Sequence, residues 1–386
     1  MKEFRVFFSA GEVSGDISAS EVISELVKLG IKCYGIGGPR MRKSGMISIT
    51  DTDESVKSSV GFTESLKYVF PKLFLLRKVS KYLKENKPDL VFLIDNQGFN
   101  IPLAKISKKL GVRVYYYFPP MVSVWGENTK YKVAKYCDKI LCTFKEDYEI
   151  YRQVSDGAVF VGLPLLDRIQ KNYSSKDEYL KFFDPSKKRV LLLFGSREQE
   201  IKTLTLPILE TVKKILFGET PLKPNDYEFY TVISHPIFKE YVLRSIEFMG
   251  LKDKIKVFDN VMDYALYDVC DVAISSSGTI TLELALLEKP VIVVYKVSKI
   301  TFEIGKRLVR KQYISLPNLL LNEKVYPELL QDQVNWKVIS ENLEVVLDDK
   351  VKEEIRKKLY RLKVEYRPGA VDRIVEEIRS EAPLIK

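Results

Sequence analysis

Ser275-Ser276-Ser277-Gly278-Thr279-Ile280-Thr281-Leu282-Glu283 sits between two apolar runs, and its reading decides the fold. Before it, Val269-Cys270-Asp271-Val272-Ala273-Ile274 has the composition of a buried strand, and a second strand follows over residues 290–295. A chain that leaves a strand through Ser and Gly and re-enters as a helix aims that helix's first backbone N–H groups, which have no partner inside it, past the strand's end. Such an end attracts phosphate. Glu283, further along, can accept hydrogen bonds from a ribose. The stretch implies a nucleoside diphosphate site built without a Walker lysine, and so sugar-nucleotide chemistry rather than ATP hydrolysis.

Working outward, the same alternation recurs. In the second half, strands are expected over 190–194, 227–233, 255–258, 272–274 and 291–294, with helices between them. In the first half, strands are expected over 6–9, 33–36, 90–94, 112–117, 140–143 and 159–161. Helical periodicity covers 21–29 and 103–110 and a long amphipathic segment through 79–83, and Gly37-Gly38-Pro39 reads as a turn. Strands alternating with helices predict an α/β fold with parallel sheets covered on both faces. The polar stretches Lys171-Asn172-Tyr173-Ser174-Ser175-Lys176 and Asp184-Pro185-Ser186-Lys187-Lys188 are read as the linker between two doubly wound, Rossmann-like domains, residues 1–172 and 186–345. Beyond Trp336 only helical signals remain, over 338–381, and residues 346–386 are read as terminal helices packing on the first domain, of the same chain or of a partner. Two such domains facing a cleft would bind ligands beside the carboxyl ends of their strands.

Bulk properties narrow the classes. At 386 residues with 46% hydrophobic side chains, each half can bury a core. The formal charge of +10 favours an anionic partner, but no nucleic-acid recognition motif accompanies it. Four cysteines without CxxC spacing argue against disulfides and zinc, and fit a reducing cytosol. Met1-Lys2-Glu3-Phe4 runs straight towards a strand with no signal-peptide pattern, and no apolar run reaches bilayer length. The single histidine, His235 in Ser234-His235-Pro236, excludes a His-cluster metal site, and no GxSxG elbow supports a Ser-His-Asp hydrolase. Asp51-Thr52-Asp53 resembles a metal-holding Asp-x-Asp, but it falls in the half away from the nucleotide stretch and is rejected. No metal and no cofactor are expected.

Four further stretches carry chemistry. Ser9-Ala10-Gly11-Glu12-Val13-Ser14-Gly15-Asp16 leaves the first strand and opens a helix, either to hold a phosphate or sugar or as an ordinary strand-to-helix turn. Asp95 ends the strand 90–94, where a carboxylate can deprotonate an acceptor hydroxyl or simply cap the next helix. Gly195-Ser196-Arg197 follows the strand 190–194. Backbone amides plus a guanidinium can neutralise a leaving diphosphate without a metal, and an arginine in a helix's first turn opposes the helix dipole, which favours a functional role. Residues 62–84 set Phe70, Leu73 and Phe74 among Lys72, Arg77 and Lys78, either as a core helix with a solvated basic side or as a helix lying in an anionic membrane surface. Lys296, Lys299, Lys306, Arg307, Arg310 and Lys311 could extend that basic patch.

Taken in order, these stretches resemble the lipid-A-disaccharide synthase family. The resemblance rests on Ala10 to Asp16, Gly35-Ile36-Gly37-Gly38-Pro39-Arg40-Met41, Ile94-Asp95 with Gly98-Phe99-Asn100, Gly195-Ser196-Arg197, Ser277-Gly278-Thr279 through Glu283, Tyr313-Ile314-Ser315-Leu316-Pro317-Asn318 and Glu328-Leu329-Leu330-Gln331. It implies a GT-B glycosyltransferase, inverting and metal-independent, that joins UDP-2,3-diacylglucosamine to 2,3-diacylglucosamine 1-phosphate (lipid X) in a β-1,6 disaccharide. It also implies a cytoplasmic enzyme peripheral to the inner face of the membrane, with terminal helices that cross back or swap into a homodimer partner. Carried over residue by residue, Asp95 becomes the general base on the acceptor 6-hydroxyl. Gly195, Ser196, Arg197, Ser277, Gly278 and Thr279 meet the UDP phosphates and Glu283 the ribose. Asn318 and Gln331 complete the donor site, and Gly11, Glu12 and Ser14 lie near the reacting sugars. The chain departs from the family at Phe194, where proline is usual, at Leu163, where histidine is usual, and at Phe118-Pro119-Pro120-Met121. Two other readings are a UDP-sugar epimerase on the same fold, which needs no lipid acceptor, and a non-catalytic membrane scaffold.

Overall fold

Continuous apolar blocks such as Leu90-Val91-Phe92-Leu93-Ile94 become strands without alternation, because a central parallel strand is covered on both faces. The computed structural model describes residues 3–11, 13–50, 69–124, 126–233, 235–259, 261–298, 302–303 and 312–382, the side chains of 13 and 69–71 excepted. Two compact units result.

The first unit extends to Asp167 and resumes at Arg367. Its elements are β1 (Arg5–Ala10), α1 (Val13–Lys28), β2 (Lys32–Ile36), α2 (Pro39–Lys43), β3 (Ile47–Ser48), α3 (Val69–Asn86), β4 (Leu90–Ile94), α4 (Gln97–Lys109), β5 (Arg113–Tyr117), α5 (Thr129–Tyr136), β6 (Lys139–Cys142), α6 (Lys145–Tyr151) and β7 (Ala158–Phe160). The strands lie in the order β3-β2-β1-β4-β5-β6-β7, all parallel. Alternate side chains divide between the two faces: Phe8, Phe92 and Tyr117 join one buried cluster, Phe7, Val91, Leu93 and Tyr116 the other.

α7 (Pro164–Lys171) carries the chain into the second unit. There follow α8 (Lys176–Leu180), β8 (Lys188–Leu193), α9 (Glu198–Leu216), β9 (Tyr227–Ile233), α10 (Lys239–Phe248), β10 (Ile255–Asp259), α11 (Tyr264–Asp268), β11 (Val272–Ser276), α12 (Thr279–Leu286), β12 (Val291–Tyr295), α13 (Leu316–Leu321), β13 (Glu328–Leu330), α14 (Trp336–Val346) and α15 (Asp349–Glu365). This sheet runs β10-β9-β8-β11-β12-β13, again parallel throughout. The expected α/β class with two doubly wound sheets is what the structure has.

Two boundaries differ from the sequence reading. The stretch read as a linker belongs to the second unit, because its side chains bond to α11 and the turn before it: Tyr173 Oη donates to Asp268 at 2.5 Å, and Ser174 N and Tyr179 Oη to Asp263 at 3.1 and 3.0 Å. The terminal helices, read as one group on the first domain, part company. α15 belongs to the second unit, burying Ile355, Leu359 and Leu362. The last helix, α16 (Ala370–Arg379), packs Ile374 and Ile378 into the first unit's core. Asp167 accepts hydrogen bonds from the backbone N–H groups of Gly369 and Ala370 at 2.5 and 2.8 Å, capping that helix. Arg373 Nε donates to Val161 O at 2.8 Å, and Lys139 pairs with Glu377 at 3.1 Å.

Candidate active site

Each sheet reverses its strand order at one place, β1/β4 in the first unit and β8/β11 in the second. In open α/β sheets such a switch point is where ligands bind, outside the strands' carboxyl ends. The register makes the placement concrete. Ala10 pairs with Ile94, so Gly11 and Asp95 leave neighbouring strands together. Leu193 pairs with Ser275, so Gly195-Ser196-Arg197 and Ser277-Gly278-Thr279 do the same. Residues far apart in sequence are thus gathered into two groups, one per unit.

In the first unit, Asp95 and Asn96 both take left-handed backbone conformations, φ 49° and 44°. For residues other than glycine this costs on the order of 1 kcal/mol or more each, and such strain collects at functional sites. Asp95 is half-buried. Its carbonyl accepts from Asn100 Nδ2 and Tyr116 Oη, each at 2.8 Å, and its N–H donates to Tyr117 O at 3.1 Å. Gly11 has a steric reason to be glycine: a Cβ there would fall on Asn96 Nδ2. Asp16, at the end of the same sequence stretch, is a structural cap whose carboxylate accepts from Arg40 N at 3.1 Å and Met41 N at 3.0 Å and so starts α2. Ser14 lies in the first turn of α1, half-buried, while Glu12 and Asp51-Thr52-Asp53 lie outside the described residues.

In the second unit, Arg197 is the N-cap of α9, and its Nη1 meets Glu200 Oε1 at 2.9 Å. The other Glu200 oxygen accepts from Ser196 N at 3.0 Å. Gly195, with φ 119°, brings the turn so close that a Cβ would stand 2.5 Å from Glu200 Cβ. Sequence reasoning missed Glu200; its signal was an acid at the third helical position, where a side chain can fold back on the turn. α12 begins at Thr279 after Gly278 with no side-chain cap, which leaves its first N–H groups available to an anion. Arg168, 3% exposed, stands 3.8 Å from Glu283. Nothing in the sequence singled it out. Burial, and then the negative Glu283, push the neighbouring Tyr264 phenol well up. Burial, then Glu200, likewise raise Tyr295, partly offset by Arg197.

Two of the expected donor-site residues have internal work. Asn318 is fully buried and spends all its hydrogen-bonding capacity within the unit: Nδ2 donates to Tyr326 O and Glu328 Oε1, both at 2.9 Å, and Oδ1 accepts from Val325 N at 2.9 Å and Tyr326 N at 2.8 Å. Glu328 ties that residue to the loop before it, accepting from Ile314 N at 3.0 Å and Ser315 N at 2.9 Å. Ser277 Oγ in turn donates to Ile314 O at 3.0 Å. Asn318 therefore shapes the Ser277 turn at one remove, with its side-chain amide fully engaged within the unit. Gln331 brackets Val297, accepting from its N–H and donating to its carbonyl, each at 2.9 Å. The departures Leu163 and Phe194 are both core residues, 0% and 4% exposed.

On α3 the inner and outer faces separate. Val79 and Leu83 are fully buried, and Leu75 and Leu76 pack against the same core. Leu73 and Phe74 are 48% and 72% exposed, with Arg77, Lys78, Lys81 and Lys84 exposed beside them and Lys72 half-buried. The side chain of Phe70 and residues 62–68 lie outside the described residues, as do Lys299, Lys306, Arg307, Arg310 and Lys311. No described helix is long and apolar enough to cross a membrane.

The fold is shared with solved sugar-nucleotide enzymes at low sequence identity. A putative UDP-N-acetylglucosamine 2-epimerase from Listeria monocytogenes aligns at TM-score 0.65 and 13% identity over 98% of this chain and 97% of that one. The calicheamicin glycosyltransferase CalG4 aligns at TM-score 0.63 and 13% identity, over 99% and 100%. Sequence relatives are much nearer. Lipid-A-disaccharide synthases from Geobacter metallireducens and Sulfurihydrogenibium sp. are each 34% identical, the first over 91% of this chain and 89% of the relative, the second over 97% and 98%. The family model for lipid-A-disaccharide synthetase matches residues 6–378, a span that contains both switch points and all but the last residue of α16. The chain belongs to the lipid-A-disaccharide synthase family.

Proposed function

We propose that this glycosyltransferase joins UDP-2,3-diacylglucosamine and 2,3-diacylglucosamine 1-phosphate into the lipid A disaccharide with release of UDP. The observation that carries this reading is the pairing of two differently equipped switch points within one family member. The first offers a carboxylate, Asp95, and the second offers Arg197 and the uncapped start of α12. Asp95 takes the proton of the acceptor 6-hydroxyl as that oxygen attacks C1 of the donor sugar. The bond from C1 to the diphosphate breaks, its electron pair leaves with UDP, and displacement from the opposite face inverts the anomeric centre. Arg197, the amides of Gly195-Ser196 and the first N–H groups of α12 meet the charge that develops on the diphosphate. Ser277, Gly278 and Thr279 form the turn that presents those N–H groups, and Glu283, braced by Arg168, holds the ribose. Glu12 and Ser14 act near the acceptor.

UDP release is expected to require both acylated sugars and to survive EDTA, because protein groups supply the positive charge. UDP appearing from the donor alone, or stopping on chelation, contradicts this. The folds of the epimerases motivate one rival reading, and incubation with UDP-N-acetylglucosamine alone separates it: epimerisation would replace the transferase assignment.

The exposed Leu73 and Phe74 with their basic neighbours are proposed to rest on an anionic membrane face, where the acylated substrates reside. Leu73→Ser with Phe74→Ser is expected to lower binding to anionic vesicles by about tenfold or more, since each exposed apolar side chain is worth on the order of 1 kcal/mol on burial. Unchanged co-sedimentation would remove this helix from the contact. A homodimer exchanging its terminal helices is not needed to cap α16, which Asp167 of the same chain already does.

A further inference from the structure

Asn100 belongs to a stretch that the sequence marked without giving the residue a task. Its side chain lies at the first unit's switch point, fully buried. Oδ1 accepts from Ser9 Oγ at 2.7 Å, and the carbonyls opposite Nδ2, which only accept, fix the orientation of the amide. Nδ2 faces three carbonyls: Asp95 at 2.8 Å, Ile94 at 2.9 Å and Ser9 at 3.4 Å. The β1–β4 ladder ends at Ala10 and Ile94, and this amide continues the tie between the two strands beyond that end. From the other side, Tyr116 on β5 donates its hydroxyl to the same Asp95 carbonyl at 2.8 Å. That side chain too is fully buried. Burial, then the nearby Asp95, raise the Tyr116 phenol well above its ordinary range, so the hydroxyl remains a donor throughout the working pH range.

A carbonyl oxygen has two lone pairs, and Asp95 has both engaged by rigid, buried donors. Its φ of 49°, followed by 44° at Asn96, is a conformation that a free chain would leave for an extended one. Engagement of the carbonyl on two sides opposes that relaxation. We propose that Asn100 and Tyr116, with Ser9 anchoring the amide oxygen, are positioning residues that hold Asp95 in its left-handed conformation and thereby aim its carboxylate at the acceptor hydroxyl. This inference rests on the reading of Asp95 as the general base and adds to it the groups that set the base's geometry. It requires that the two buried side chains act on turnover only through Asp95.

Tyr116→Phe is the test, because it removes one donor while Asn100 still satisfies the carbonyl. The variant is expected to keep its thermal transition and its KM for the UDP donor, and to lose roughly 10- to 100-fold in kcat, the scale of a small misplacement of a reacting group. In an Asp95→Asn background the same change is expected to alter kcat less than twofold, since nothing is left to position. Ser9→Ala, which removes the hydroxyl that holds Asn100 Oδ1 in place, provides a second variant with the same expected pattern. Wild-type kcat in both variants, or equal losses with and without Asp95, overturns the proposal. An Asp95→Asn enzyme that turns over at the wild-type rate instead overturns the general-base reading itself, so the two failures are distinguishable.

Discussion

Asp95→Asn is expected to lower kcat by roughly 10²- to 10⁴-fold while leaving UDP affinity within about twofold, the range that general-base catalysis supplies. At 1.36 kcal/mol per tenfold this is about 3–5 kcal/mol of transition-state stabilisation. The amide is nearly isosteric with the carboxylate, and the backbone contacts of residue 95, to Asn100, Tyr116 and Tyr117, involve main-chain atoms that the substitution leaves in place. A fold change therefore does not accompany the chemical one. Asp95 belongs to the first unit and the proposed UDP contacts to the second, which is why binding and turnover should separate in this variant. Single-turnover kinetics with pre-bound donor measure the transfer step directly. A variant that transfers at the wild-type rate, or that loses UDP affinity in proportion to its rate, would take the base role from Asp95.

Arg197→Ala carries the second large expected effect, with a different signature. Loss of one well-placed donor to a developing anion costs about 10²- to 10³-fold in kcat. Here the loss has a second component. Glu200 is 8% exposed and shares its two oxygens between Arg197 and the Ser196 N–H. Without the guanidinium, that carboxylate remains beside the diphosphate turn with one donor, and its charge acts against the incoming UDP group. Both kcat and donor affinity should fall. Arg197→Lys should recover only part, since an ammonium lacks the planar fork that can serve Glu200 and a phosphate together. Glu200→Gln in the Arg197→Ala background should restore some donor affinity by removing the residual charge. Titration calorimetry with UDP and steady-state assays with varied donor give the two readouts. Retention of both within twofold would place the diphosphate elsewhere.

Much of this was legible in the sequence, for identifiable reasons. Central parallel strands are apolar on both faces, so blocks such as residues 90–94 and 291–294 stand out whatever surrounds them. The switch-point residues follow directly from those blocks, because Asp95, Arg197 and Gly278 each come within a few residues of a strand's end. Two short edge strands were not legible: β3 has 2 residues, and β13 has 3 and begins with Glu328, a charged residue whose carboxylate serves the loop before it. The partners of the site residues were also hidden. Ser9 and Asn100 are 91 positions apart, and Asp167 caps a helix 202 positions later. Local pattern carries no trace of such pairs. The same limitation explains Asn318. Its place in a family stretch suggested the ligand, but gave no hint of the four hydrogen bonds by which it builds the loop against which the Ser277 turn rests. The division of the terminal helices, α15 with the second unit and α16 with the first, likewise depends on contacts that sequence alone does not display.

The central claim is that one unit activates an acceptor hydroxyl while the other retains the departing nucleotide. Mass-spectrometric and NMR analysis of the products formed by the purified protein from UDP-2,3-diacylglucosamine and lipid X tests it most directly. The account predicts a β-1,6-linked tetraacyl disaccharide 1-phosphate and UDP in equal amounts. UDP accompanied by free diacylglucosamine, or a disaccharide whose donor sugar keeps the α configuration, would contradict it.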